Sequence, residues 1–225
     1  NLVSSTSIPV QVGTDTDWKM IVAGQQSSFG LKTDNSFWVW GRNNYAQFGN
    51  GNHKNKLLPV NNSMVWQTVE LNSGSSRNAH CLAIAHNGSL WSWGQNNDGQ
   101  LGNGSSYNHQ ALPIQIGTDV NWQSLTSGFH FSIAVKTGGT LWGWGRNGRS
   151  QLGMIGSYDR TVPAQIGTDT TWVSVSAGSE FVIALKENGT LWAWGYNYDG
   201  QIGNGTTTTA TAPIQIGTDS NWVKI

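Results

Sequence analysis

Charge is what this chain has least of. Only 11% of its 225 residues are Asp, Glu, Lys or Arg, against an average near 25%. Its 12 basic and 12 acidic residues cancel, so no electrostatic footprint for nucleic acid or anionic lipid is present. Cysteine is nearly absent. Cys81 is the single one, which excludes an intrachain disulfide and a cysteine-based zinc site. It falls in the run from His80 to Ile84, where a buried, inert thiol is expected. No apolar run approaches the ~18 residues of a membrane span, so membrane insertion is not expected. The chain begins at Asn1 rather than Met; a processed or cut N-terminus is expected, and the missing leader carries no weight. A surface of Gly, Ser, Thr and Asn in place of charge points to an extracellular or cell-surface setting, with the cytoplasm as the alternative.

What the chain has is tryptophan, 13 of them, and 29 glycines. The pattern W-x-W-G-x-N-x-x-(G/A/S)-Q-(L/I/F)-G begins at Trp38, Trp91, Trp142 and Trp192, in steps of 53, 51 and 50 residues. All five prolines (Pro9, Pro59, Pro113, Pro163, Pro213) and a second tryptophan series (Trp18, Trp66, Trp122, Trp172, Trp222) keep the same beat. So steady a period means stacked copies of one supersecondary unit. Residues 1–225 form a single array with repeats 9–58, 59–112, 113–162 and 163–212 and a partial fifth, 213–225. Pro9 to Ile21 aligns with Pro213 to Ile225 along its full length. A ring closed within this chain needs that piece once. The expectation is therefore that further blades come from more chain or from head-to-tail association of two copies.

Each repeat reads as four short strands. In the last complete one, Trp172 to Gly178 alternates apolar with small residues, a strand with one buried face. Phe181 to Lys186 is continuously apolar, a strand covered on both faces. Asn188-Gly189 predicts a type I′ hairpin turn; it and Asn87-Gly88 also fit a glycosylation pattern, which the turn accounts for. Leu191 to Gly195 is the third strand and Pro213 to Gly217 the fourth, on an edge where proline is tolerated. No 3.6-residue apolar stripe persists, so helix is not expected. Four antiparallel strands in about 50 residues make one β-propeller blade. The fold class is therefore all-β, and the periodic tryptophans are expected between blades, where large flat side chains pack.

The loop after the third strand is built for a tight turn. Asn197 is placed to cap it through its amide. Gly200 suits a positive φ, so Ala46 and Ser150 at the same position imply strain or a different turn. Gln47, Gln100, Gln151 and Gln201 are placed to bridge backbone amides.

The unit A-G-x(5)-A-L-K-x-N-G-x-L-W-x-W-G-x-N-x-x-G-Q-L-G resembles the RCC1 repeat, named for the regulator of chromosome condensation, over residues 9 to 225. The resemblance implies a propeller of normally seven such blades. It also implies a protein-interaction platform: the founding member catalyses nucleotide exchange on a small GTPase, and a bacterial relative inhibits β-lactamases. The family often has a histidine after the A-G-x-x step. Only His80 stands there in this chain, with Ser27, Phe131 and Phe181 elsewhere, and no residue marks a nucleotide-exchange loop.

Chemistry is otherwise thin. Gly143-Trp-Gly145-Arg-Asn-Gly148 satisfies G-x-G-x-x-G, but no helix follows as a dinucleotide site requires. His53, His80, His86, His109 and His130 lack metal-ligand spacing. Asp15, Asp119, Asp169 and Asp219 recur in Gly-Thr-Asp, which fits an Asx turn. No metal, cofactor or catalytic residue is expected. What breaks the repetition is more informative. Repeat 2 carries five extra residues between Val69 and His80, its Trp66-to-Ile84 span being 18 against 13 elsewhere. In an up-and-down blade that insertion shares a face with the loops bearing Arg42, Tyr45, Arg146, Arg149, Tyr196 and Tyr198. Tyr and Arg anchor interfaces. Together with Glu70, Arg77 and Asn78 they are the candidate partner-binding residues of a non-catalytic scaffold. A carbohydrate-binding module and a secreted enzyme inhibitor are the alternatives; the former needs exposed tryptophans, whereas all thirteen here stand at repeat positions that look buried.

Overall fold

The computed structural model describes residues 7–72 and 79–225. Among them there is no helix, and sixteen strands form four separate four-stranded antiparallel sheets. Blade 1 holds β1 (Trp18–Ala23), β2 (Ser27–Lys32), β3 (Ser36–Gly41) and β4 (Lys56–Val65). Blade 2 holds β5 (Thr68–Leu71), β6 (His80–Ile84), β7 (Leu90–Gly94) and β8 (Gln110–Gln115). Blade 3 holds β9 (Trp122–Gly128), β10 (Phe131–Lys136), β11 (Leu141–Gly145) and β12 (Arg160–Gln165). Blade 4 holds β13 (Trp172–Ala177), β14 (Phe181–Lys186), β15 (Leu191–Gly195) and β16 (Ala210–Gln215). Strand order within each sheet follows the chain. The first strands of successive blades, β1, β5, β9 and β13, pack side by side and form the inner row.

The core lies between blades rather than within them. One cluster joins Phe29, Phe37 and Phe48 of blade 1 to Trp66, Cys81 and Trp93 of blade 2. A second joins Ile84 and Leu90 to Trp122 and Trp144. The third joins Ile133, Leu141 and Leu152 to Trp172, Val182 and Trp194. The middle strands β6 and β10, with a blade on either side, are buried along their whole length.

One hydrogen bond ties each junction. The fully buried Trp93, Trp144 and Trp194 donate their indole N–H to the backbone oxygens of Gln47, Gln100 and Gln151 in the preceding blade, at 2.7, 2.8 and 3.0 Å. This explains the last glycine of the motif. A Cβ on Gly153, in the left-handed region at φ +63°, would stand 2.8 Å from the Trp194 indole nitrogen. Cys81 is fully buried, and burial pushes its thiol well above the ordinary range.

Three details differ from the sequence expectations. The hairpin turns are not type I′. At 186–189 only Gly189 has positive φ, +75°. Asn188 stays right-handed and its Oδ1 accepts the Thr190 N–H and O–H. The result is a type I turn closed by a left-handed residue. Asn35, Gly88 and Gly139 repeat it. The fourth strand begins at Ala210, three residues before Pro213. The tryptophans are not uniformly buried either. Trp222, in the partial fifth repeat, is 44% exposed.

Candidate functional site: the loop face

Every blade brings its strand 1–2 and strand 3–4 connections to one face. The backbone N–H groups of Arg42, Gln95, Arg146 and Tyr196 donate to the carbonyls of Gln26, Ala79, His130 and Glu180, at 2.8 to 3.0 Å. The long loop then folds on its own side chains. Asn43, Asn96, Asn147 and Asn197 each accept, through Oδ1, the N–H five residues ahead. Gln47, Gln100, Gln151 and Gln201 accept the N–H two residues behind. All four loops use the same turn. Ala46 and Ser150 take φ of +57° and +60° beside Gly99 and Gly200 at +80° and +74°, so the non-glycine copies carry left-handed strain.

On this fixed frame the candidate residues sit unevenly. Arg42 donates to Gln26 Oε1 at 2.5 Å and lies 5.8 Å from the Tyr45 ring. With its amide turned, Asn44 accepts from the same guanidinium and donates to Asn55. Arg146 lies over Phe129 at 5.9 Å. Arg149 bridges blades 3 and 4, over Tyr196 at 5.1 Å and 4.0 Å from Glu180. Tyr196 and Tyr198 pair at 4.7 Å, and Tyr198 is 61% exposed. Glu70 stands apart from them, on the inner strand β5 opposite Leu82. Burial alone pushes its carboxyl up to about 7. Arg77 and Asn78 lie outside the described residues.

Sequence reasoning missed the groups that meet across blades. The loop position of Tyr45 recurs as Asp98 and Arg149, and these two reach the next blade. Asp98 pairs with Nδ1 of His130, whose backbone is left-handed at φ +64°. Burial lowers the His130 pKa, with Asp98 pulling the other way. Beneath it, His80 meets the Ser132 hydroxyl at 3.0 Å, and that hydroxyl donates to the Gln100 carbonyl at 2.9 Å. Burial, then the neighbouring His130, lowers His80 to about 3. Both side chains are fully buried and the hydroxyl proton is committed to a carbonyl. This pair ties blades together and is not placed to attack a substrate. Its partners lie 32 and 52 residues apart, a separation no single repeat displays.

The opposite face is uniform. Lys136 sits 4.5 and 3.9 Å from the Trp122 and Trp142 rings and 2.6 Å from Asp119. Lys186 repeats this over Trp172 and Trp192 with Asp169, and Lys32 over Trp18 and Trp38 with Asp15. Three of the four Gly-Thr-Asp aspartates, Asp15, Asp119 and Asp169, are thus ion-pair partners. Asp169 also caps the Thr171 N–H, as an Asx turn requires. The pairing had a sequence signal: repeat 2 has Ala85 where the others have lysine, and it also lacks Gly-Thr-Asp. Among the described residues no group of three metal-ligating side chains occurs.

Fold and site together define a propeller of four-stranded blades that offers one variable loop face. Models of the regulator of chromosome condensation (RCC1) repeat match residues 87–135, 138–185 and 188–225, and again 122–151 and 172–201. These matches cover more than half of the chain, and it belongs to the RCC1 repeat family. It is 30% identical over 136 residues to human (Homo sapiens) E3 ubiquitin-protein ligase HERC2, covering 59% of this chain and 3% of that protein. To the ultraviolet-B receptor UVR8 of Arabidopsis thaliana it is 28% identical over 148 residues, covering 63% of this chain and 32% of the receptor. Among solved structures it superposes on Prp20p of Saccharomyces cerevisiae with a TM-score of 0.79 at 21% identity. That match covers 93% of this chain and 53% of Prp20p, a protein described for its binding to Gsp1p and histones. The chain thus spans at most a third of these curated relatives and about half of that structure.

Proposed function

We propose that the chain is a non-catalytic protein-binding scaffold whose loop face, with its unshared arginines and tyrosines, receives a partner protein. The observation that carries this reading is the Arg149–Tyr196–Tyr198 group. It is an aromatic and guanidinium cluster, partly exposed, on two loops whose backbones are latched by Asn147 and Gln151 and by Asn197 and Gln201. Large side chains on a preorganised frame lose little entropy on binding, and Tyr and Arg dominate interface energetics. Family membership supports the reading, since a related propeller is described by its protein partners. A carbohydrate-binding role has less support. Twelve of the thirteen tryptophans are buried or half-buried, Trp222 being the one exposed.

The test is quantitative affinity capture with the wild-type chain, a Tyr196→Ala/Tyr198→Ala variant and a Glu187→Ala variant from the opposite face. A protein retained by wild type and E187A but lost by the double variant supports the reading. Equal retention by all three, or retention of glycans alone, overturns it.

A further inference from the structure

Blade 2 keeps the aromatic half of the repeated face and lacks the ionic half. Its Trp66 and Trp91 rings stand 5.9 Å apart and tilted at 55°. The pairs Trp18–Trp38, Trp122–Trp142 and Trp172–Trp192 stand at 6.0, 6.0 and 5.7 Å, closer to perpendicular. Trp91 is pinned as its counterparts are. Its indole N–H donates to Ser89 Oγ at 2.9 Å, as Trp38, Trp142 and Trp192 donate to Ser36, Thr140 and Thr190 at the same distance. In those three blades a lysine ammonium lies 3.7 to 4.6 Å from the pinned ring. An aspartate three residues before the first tryptophan pairs with it, at 2.5 to 2.9 Å. Blade 2 has Ala85 at the lysine position and Ser63 three residues before Trp66. Trp66 follows Pro59 by seven residues where the other repeats have nine, with no Asp or Glu between them.

A cleft of about 470 Å³ occupies this place. Trp66, Trp91 and Ser63 line it, together with Met64, Leu112 and Pro113. Solvent reaches it: Val65 and Leu112 at its rim are 59% and 56% exposed, and Trp91 is half-buried. Among the described residues no charged side chain lines it. The ring positions that attract a cation elsewhere in the chain are therefore present, and a cation over an indole face is favoured. The chemistry of that cation follows from what the cleft lacks. A primary ammonium brings three N–H donors, which the aspartate helps to satisfy in the other blades and which no carboxylate meets here. A trimethylammonium group has no N–H to satisfy and spreads its charge over methyl groups, which suit Met64, Leu112 and Pro113. The volume is that of a small-ligand site.

We propose that the Trp66–Trp91 cleft of blade 2 binds the trimethylammonium group of a small-molecule cation. The site lies on the face opposite the variable loops and stands independently of the protein-binding reading.

Choline is the probe, followed by the indole N–H and methionine methyl NMR signals of the isotope-labelled chain. Saturable shifts at Trp66, Trp91 and Met64 are expected, with Kd on the order of 0.1–10 mM for so small a ligand. The uncharged isostere 3,3-dimethylbutan-1-ol should bind at least tenfold more weakly. So should ethanolamine, which keeps the charge but brings N–H donors. Ala85→Lys supplies the lysine of the other three blades and should abolish the shifts, leaving the rest of the spectrum in place. Trp91→Leu, which removes the pinned ring instead, should abolish them as well. Ala85→Ser leaves the cleft open, guards against a folding artefact and should retain them. Equal binding of the uncharged isostere, shifts that persist in A85K, or no saturable shift overturns the proposal. A trimethyllysine peptide that binds more tightly than choline overturns its assignment to a small molecule.

Discussion

The two faces of the propeller are built by opposite rules. On one, a lysine, an aspartate and two tryptophans recur in three of four blades with the same contacts. On the other, the loop latches repeat from blade to blade, while the side chain at one shared loop position differs: Tyr45, Asp98 and Arg149. Repetition marks what holds a blade together. Variation on a frame that does not vary marks what is free to be selected for recognition. The unshared residues alone therefore point to binding, and stability should respond far more strongly to the shared ones.

The largest expected effect is at the shared junction. Trp194→Ala removes a fully buried indole and its bond to Gln151, and should lower stability by about 3–5 kcal/mol in urea unfolding. A loss below 1 kcal/mol would show that the blades do not depend on this contact. Next is Glu70, which belongs to neither face. Its partner-free carboxyl titrates near 7, above its unfolded value. Folding is therefore unpenalised below about pH 4.5 and penalised as pH rises through 7. Glu70→Gln should raise stability by about 1–2 kcal/mol at pH 8, allowing for partial solvation, and change little at pH 4. A gain equal at both pH values would break the account.

Smaller effects follow on the repeated face. Lys186, then Thr171, hold the Asp169 carboxyl down at about 2. Its contribution is present above about pH 4 and lost as pH falls toward 2. The carboxylate is 36% exposed, so Asp169→Ala should cost only about 0.5–1 kcal/mol at pH 7 and nothing at pH 2. Ser150→Gly relieves a left-handed serine and should stabilise by up to about 1 kcal/mol. Tyr198→Ala, on an exposed ring, should change stability by less than about 0.5 kcal/mol. Its predicted effect is on partner capture.

Strands, hairpins and the Asn and Gln latches were legible in the sequence because each lies within one repeat, where four copies can be compared. The shared face of the strand 1–2 and 3–4 connections followed from blade topology. What compared copies do not show is who meets whom across a junction. Asp98 and His130, or Arg149 and Tyr196, belong to different repeats and have no counterpart to align with. The turn type was misread at Asn188 for a related reason. Asn-Gly permits two left-handed residues, but the Asn188 side chain binds the Thr190 N–H and leaves only Gly189 left-handed.

The central claim is that binding uses the face where blades differ. Hydrogen exchange of the chain with and without its captured partner tests it most directly. The account predicts added protection in loop segments 42–48, 95–99, 146–151 and 196–201, with the turns at 33–35, 86–89, 137–140 and 187–190 unchanged. Protection confined to those turns, where the blades repeat one another, would contradict it.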